Sequence, residues 1–133
     1  MKKLPTDLQI LNAIYNQYYN QFTTFSKKNP DRSAKNFIPI DIAQIAKRFG
    51  VDVDIIFGRL YYHLELKYGY QNPNGTKVSF FALKAGSDKY YINFPYMASV
   101  LAKLREREKK YSTATKIAIF SLVITIISFY FSI

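Results

Sequence analysis

Few groups in this chain are able to do covalent chemistry. His63 is the only histidine and cysteine is absent, which excludes thiol nucleophiles, thiolate zinc sites and disulfides. The carboxylates Asp31, Asp41, Asp52, Asp54, Glu65 and Asp88 follow no spacing that builds a recognised metal site. Asp52 and Asp54 are most simply capping residues that complement a helix dipole. The sequence around His63 shows no partner that would make it a general base, and it holds no glycine-rich phosphate loop. The sequence therefore argues against an enzyme and predicts neither metal nor cofactor. What remains is binding chemistry: 19 Lys and Arg stand against 9 Asp and Glu, a net charge of +10. Such an excess favours nucleic acid or anionic lipid as a partner.

The stretch that must position these charges is C-terminal. Ile117 to Ile133, IAIFSLVITIISFYFSI, holds no charge, no Pro and no Gly. At ~1.5 Å per residue it reaches roughly 25 Å, and Thr113 to Lys116 close the gap to a hydrocarbon core of ~30 Å. A transmembrane helix is expected over 117–133, the alternative being a buried helix of a soluble domain. Lys103, Arg105, Arg107, Lys109, Lys110 and Lys116 precede it against Glu106 and Glu108. The positive-inside rule then predicts a single-pass, tail-anchored protein of the cell membrane with its N-terminal domain cytoplasmic. The run Lys103–Lys116 also suits anionic lipid headgroups.

Ala118, Ser121, Thr125, Ser128 and Ser132 succeed one another at spacings of 3, 4, 3 and 4, on one heptad stripe. Small residues on one stripe let membrane helices approach closely. Run backward, the register takes in Ala114, Tyr111, Arg107, Leu104, Val100 and Met97, a seam able to continue as a short parallel coiled coil apart from Arg107. A homodimer is the expectation; a different partner helix, or no interface, stays open.

The rest of the chain has room for one small domain. Leu4, Leu8, Leu11, Tyr15, Tyr18, Phe22 and Phe25 recur at helical spacing, which predicts an amphipathic helix with a core-facing aromatic stripe, opened by Pro5, Thr6 and Asp7. Ser26 to Phe37 reads as a basic loop, whose Lys27, Lys28, Arg32 and Lys35 are either solvated or in contact with phosphates or headgroups. Helices are predicted from about Pro39 to Phe49 and from about Val53 to Tyr68. Gly50 suits a left-handed C-cap between them and Asp52 an N-cap. Ile42, Ile45, Ala46 and Phe49 form the apolar side of the first, and Ile56, Leu60 and Leu64 that of the second. A turn at Asn72-Pro73-Asn74-Gly75 is followed by β-branched and aromatic runs, Lys77 to Leu83 and Lys89 to Phe94, around a Lys84–Asp88 loop. Pro95 can open a last helix, and from Tyr96 nothing breaks the pattern before Ser112-Thr113.

The segment IDIAQIAKRFGVDVDIIFGRLYYHLELKYGY resembles the helix-turn-helix of the winged-helix superfamily, with Ile42-Ala43, Gly50-Val51, the amphipathic run Ile56 to Leu64, and Gly69. The hairpin that such a fold requires follows in order. The expected fold class is thus mainly α with a small antiparallel β-hairpin. A winged helix-turn-helix domain (1–94) would lead through a basic juxtamembrane helix (95–116) into a single transmembrane helix (117–133). The resemblance implies binding of double-stranded DNA, with the second helix in the major groove and the wing along the backbone. It would expose Arg59, Tyr62, His63 and Lys67 on the helix, Lys77, Lys84, Ser87 and Lys89 on the wing, and Lys47 and Arg48 beside them. The protein would then be a membrane-held transcription regulator or DNA tether.

One departure points elsewhere. Arg59 and Lys67 are balanced by Asp54 and Glu65, and Ile55, Tyr62 and Leu66 look like protein-contact residues. Winged helices also bind proteins. A membrane-anchored protein–protein interaction module, or a small structural adaptor, is the competing expectation.

Overall fold

Residues 3–84 and 89–132 are described by a computed structural model, which is mainly helical with a small antiparallel sheet. The first helix, α1 (Asp7–Thr23), opens on a capping box: Thr6 Oγ1 accepts from Gln9 N at 3.1 Å and Gln9 Oε1 accepts from Thr6 N at 2.9 Å. Ile10, Leu11, Ala13, Ile14 and Tyr18 face the core. At its far end Arg32 folds back. Its Nη1 donates to the Gln21 carbonyl (3.3 Å) and to Asp31 Oδ1 (2.8 Å), its Nε and Nη2 to the Lys35 carbonyl, and its guanidinium lies over the Phe25 ring. Arg32 is therefore a buried cation meeting the carbonyl end of a helix dipole. It is not a loop residue free to meet phosphate.

A strand that the sequence pattern did not announce comes next, β1 (Phe37–Ile40). It pairs antiparallel with β5 (Tyr90–Asn93), which pairs in turn with β4 (Phe81–Leu83), giving the sheet order β1-β5-β4. Phe94 N donates to Asn36 O at 2.8 Å. By alternation from that bond, Pro39 falls where the strand turns its N–H outward, so the missing donor costs no ladder bond. The helix expected from Pro39 therefore starts later. It is α2 (Ile42–Phe49), capped by Asp41 Oδ1, which accepts from Ala43 N and Gln44 N.

Gly50 takes φ 66° and ψ 31°, the left-handed cap, and Asp52 accepts from Asp54 N at 2.9 Å. From there α3 (Val53–Gly58) continues through a widened π-helical segment (Arg59–Glu65) into a last turn, α4 (Leu66–Tyr68), with right-handed backbone at each junction. Ile56, Leu60 and Leu64 are fully buried along it.

The expected strand Lys77–Leu83 is two strands in two sheets. β3 (Lys77–Val78) pairs back on β2 (Tyr70–Gln71) around the Asn72–Gly75 turn, where Gly75 has φ 89°. Only β4 joins β5. Asn93 Nδ2 donates to Ser79 O between β3 and β4, and Asn93 N donates to Phe80 O. The loop 85–88, and with it Ser87, lies outside the described residues.

The last helix, α5 (Phe94–Ser132), is unbroken at Ser112-Thr113. Two compact units divide it, one through Leu101 and one from Ala102. Met97 is 0% exposed and Val100 5%, both packed with Phe94 and Leu101 in the first unit. This corrects the seam: Met97 and Val100 are core residues and cannot pair with a second helix. The later seam residues Tyr111, Ala114, Ala118, Ser121, Thr125, Ser128 and Ser132 are exposed, while Leu104 is half-buried. By length and composition α5 is able to cross a membrane. Thr125 donates its hydroxyl to the Ser121 carbonyl and Ser132 to Phe129, both at 2.9 Å, so these groups are satisfied within their own helix.

Candidate functional site

The α3–α4 helix carries four of the ten residues that the resemblance singled out, and its two sides differ. Asp7, in the first turn of α1, reaches across to it. Arg59 Nη1 donates to Asp7 Oδ1 at 3.0 Å and to the Pro5 carbonyl at 2.9 Å, and His63 Nε2 lies 3.2 Å from Asp7 Oδ2. Arg59 is thus half-buried in an ion pair that fastens the start of α1. It is not the exposed guanine reader expected. The physical reason is reach: residues four apart on a helix share one side, and Asp7 stands opposite that side. His63 keeps about half of its side chain exposed.

The opposite side is apolar and open. Tyr62 is 69% exposed and Leu66 82%, with Tyr61 exposed beside them, while the exposed Ile55 stands four residues before Arg59, on that residue's side. These rings are buttressed from beneath. Phe57 stacks on Tyr61 with centroids 5.3 Å apart and meets Phe81 and Tyr90 edge-on at 6.2 and 5.6 Å. Tyr62 packs edge-on to Tyr61 at 5.1 Å. Aromatic pairs held in this way present area at low entropic cost.

Between this side of the helix and β4 lies a groove of about 740 Å³, lined by Tyr62, Leu66, Tyr70, Lys77 and Leu83 among others. Its end is closed by Glu65, whose Oε2 accepts from Phe80 N at 2.7 Å and Phe81 N at 2.8 Å. Gly69 makes that approach feasible. A Cβ there would stand 2.6 Å from Glu65 Oε1 and 2.7 Å from the Glu65 carbonyl. Nearby, Tyr96 donates its hydroxyl to the Tyr68 carbonyl at 2.7 Å. Burial raises the Tyr96 pKa first, and the anionic forms of Tyr70, Tyr68 and Glu65 add to the rise.

The basic candidates are dispersed. Lys77 lines the groove, and Lys67 lies 5.4 Å from the Tyr68 ring centroid. Lys84 follows Leu83 and is exposed. Lys89 lines a different cavity of about 450 Å³, with Tyr18, Asp41 and Val53. Lys47 and Arg48 are exposed in the last turn of α2. In the second cavity the Tyr18 hydroxyl accepts from Asp41 N at 2.8 Å. Burial raises the Tyr18 pKa, that amide partly offsets the shift, and the Asp41 charge reinforces it. Among the described residues, no group of three or more acidic or histidine side chains is able to hold a metal ion.

Sequence reasoning missed Asp7, Glu65, Tyr70 and Leu83 as parts of this surface. Gly69, four residues after Glu65, was the only local trace of the carboxylate's role. No family model, curated protein or solved structure matches the chain.

Proposed function

We propose that this chain is a membrane-anchored docking module of winged-helix type that binds a protein partner through the open side of its α3–α4 helix. One observation carries this: Tyr61, Tyr62 and Leu66 form an exposed apolar surface whose rings are backed by Phe57, whereas Arg59 is committed to Asp7. Exposed aromatic groups backed by packed rings are the usual anchors of protein interfaces. The acidic pair Asp52 and Asp54 at the start of the helix would also repel phosphates. Strands β4 and β5 serve as the wing, and β1 extends their sheet. The apolar part of α5 spans the bilayer, with the bases of Lys103–Lys116 at anionic headgroups on the cytoplasmic side. The stripe from Ala114 to Ser132 supports pairing of two copies within the membrane.

Binding of double-stranded DNA is the second reading, favoured by the exposed Lys47, Arg48, Lys67, Lys77, Lys84 and Lys89. Salt separates the two, because contacts with several phosphates weaken steeply as salt rises. The experiment is a titration of the full chain, in nanodiscs of neutral lipid, with mixed-sequence duplex across salt. The docking reading expects no tight, salt-steep binding. Micromolar affinity with a steep negative salt slope, unchanged in Leu66→Asp, would overturn it in favour of DNA.

A further inference from the structure

The groove beside the helix has a backbone wall as well as an aromatic one. β4 is an edge strand, since its sheet runs β1-β5-β4. Bonds from Asn93 N to Phe80 O and from Lys84 N to Lys89 O show that Phe80 and Lys84 use these groups toward β5. Ala82, opposite Tyr91, falls in the same alternation. Phe81 and Leu83 therefore turn their N–H and C=O groups away from β5, toward the groove. The Phe81 N–H is already met by Glu65. Among the described residues, no hydrogen bond reaches the Phe81 carbonyl or the N–H and C=O of Leu83.

Unpaired edge groups of this kind take an extended chain as an added strand, the backbone bonds supplying affinity and the flanking side chains selectivity. Glu65 already occupies the position where such a strand would begin, so pairing would start at Phe81 O and run to Leu83. Alternate side chains of the incoming strand would meet Tyr62 and Leu66 on the helix wall. A volume of about 740 Å³ accommodates a few residues. The charge of the segment follows from the cations near the edge: Lys77 lines the groove, and Lys84 succeeds Leu83 at the end of β4. Lys77 and Lys84 are exposed and join no ion pair among the described residues, while the carboxylate of Glu65 is held by two amides.

We infer that the outer edge of β4 receives, as an added strand, an extended segment of a protein partner in which acidic and apolar residues alternate. The inference rests on the docking reading above and names its ligand.

The probe is a fluorescein-labelled octapeptide of alternating acidic and β-branched residues, followed by anisotropy against the full chain in neutral-lipid nanodiscs. Two further peptides accompany it, one N-methylated at alternate amides and one with bases in place of acids. Leu83→Pro removes only an outward N–H and spares the ladder to β5, and Ala82 before it is already extended. The expected result is saturable binding of the acidic peptide, weakened about tenfold or more by N-methylation and by Leu83→Pro, with weaker binding of the basic peptide. Binding indifferent to both changes but lost in Leu66→Ala would overturn strand addition while leaving docking on the helix intact. Equal binding of the basic peptide, or no binding of any peptide, also overturns the inference. Docking itself then stands or falls on the duplex titration. If Leu83→Pro fails to fold, the N-methylated peptide on the unaltered chain still decides.

Discussion

Glu65→Ala tests the tie between the helix and the sheet. In the folded protein its Oε2 accepts from Phe80 N at 2.7 Å and Phe81 N at 2.8 Å, and both phenylalanines are at most 2% exposed. Removing the carboxylate leaves two amides facing the groove without an acceptor. Each unsatisfied buried amide costs about 1–3 kcal/mol. The groove is open to water, which meets part of this need, so the lower half of that range applies and the sum is about 2–4 kcal/mol. For a domain near 100 residues that lowers Tm by roughly 10–25 °C. Glu65→Gln keeps an acceptor oxygen and loses only the charge, so about 1–2 kcal/mol is expected. Gly69→Ala should also destabilise, since its Cβ would meet Glu65 Oε1 at 2.6 Å. The two sites share one side chain, so Gly69→Ala should cost less in the Glu65→Ala background. The assay is denaturation of the full chain in detergent, followed by near-ultraviolet tyrosine dichroism. A Glu65→Ala protein within about 0.5 kcal/mol of the parent, or strictly additive costs in the double variant, would refute the reasoning.

Arg59→Ala should lower stability by about 1–2 kcal/mol through loss of the Asp7 and Pro5 bonds, with duplex affinity unchanged; a change in affinity for one base pair without loss of stability would restore the base-reading role. Stability should fall as pH rises above about 10, because Tyr18 and Tyr96 have raised pKa values and resist the deprotonation that favours the unfolded chain. The contribution is complete below the unfolded value and is lost as pH passes through the folded one. A Tyr96→Phe protein should therefore show a shallower alkaline decline in a denaturation series, and an unchanged slope would count against this. In a membrane-helix association assay, Ser121→Leu and Ser128→Leu should weaken pairing more than Thr125→Val, whose lost hydroxyl already bonds within the helix. The opposite order would place hydroxyl bonding between helices.

Elements with local causes were legible in the sequence. Thr6 and Gln9 close a capping box three residues apart, Gly50 and Asp52 punctuate the turn between helices, and the spacing of Ile56, Leu60 and Leu64 marks the buried side of their helix, whereas of the stripe expected for α1 only Leu11 and Tyr18 are buried, joined by Ile10, Ala13 and Ile14. In each case the cause and its effect lie within one or two helical turns, so composition and spacing suffice. The same holds for the uncharged run from Ile117, whose length alone makes α5 able to cross a membrane.

Other features depended on partners distant in sequence. β1 exists because Ile38 and Ile40 find β5 fifty or more residues later, and no periodicity in four residues announces that. The division of Lys77–Leu83 between two sheets followed from pairings on both sides of it. Long side chains were the least legible. Arg59, Glu65 and Arg32 looked like surface charges, yet each reaches several ångströms and binds whatever the fold brings near: Asp7, the amides of Phe80 and Phe81, or the end of α1. Met97 and Val100 likewise share a heptad register with Leu104 and Tyr111, and only packing assigns the first two to the core. The sequence by itself determined the local helices, the caps and the apolar terminus, because those follow from neighbours along the chain. The tertiary structure alone decided which charges are spent on folding and which surface is left to bind, because that depends on what stands within a side chain's reach.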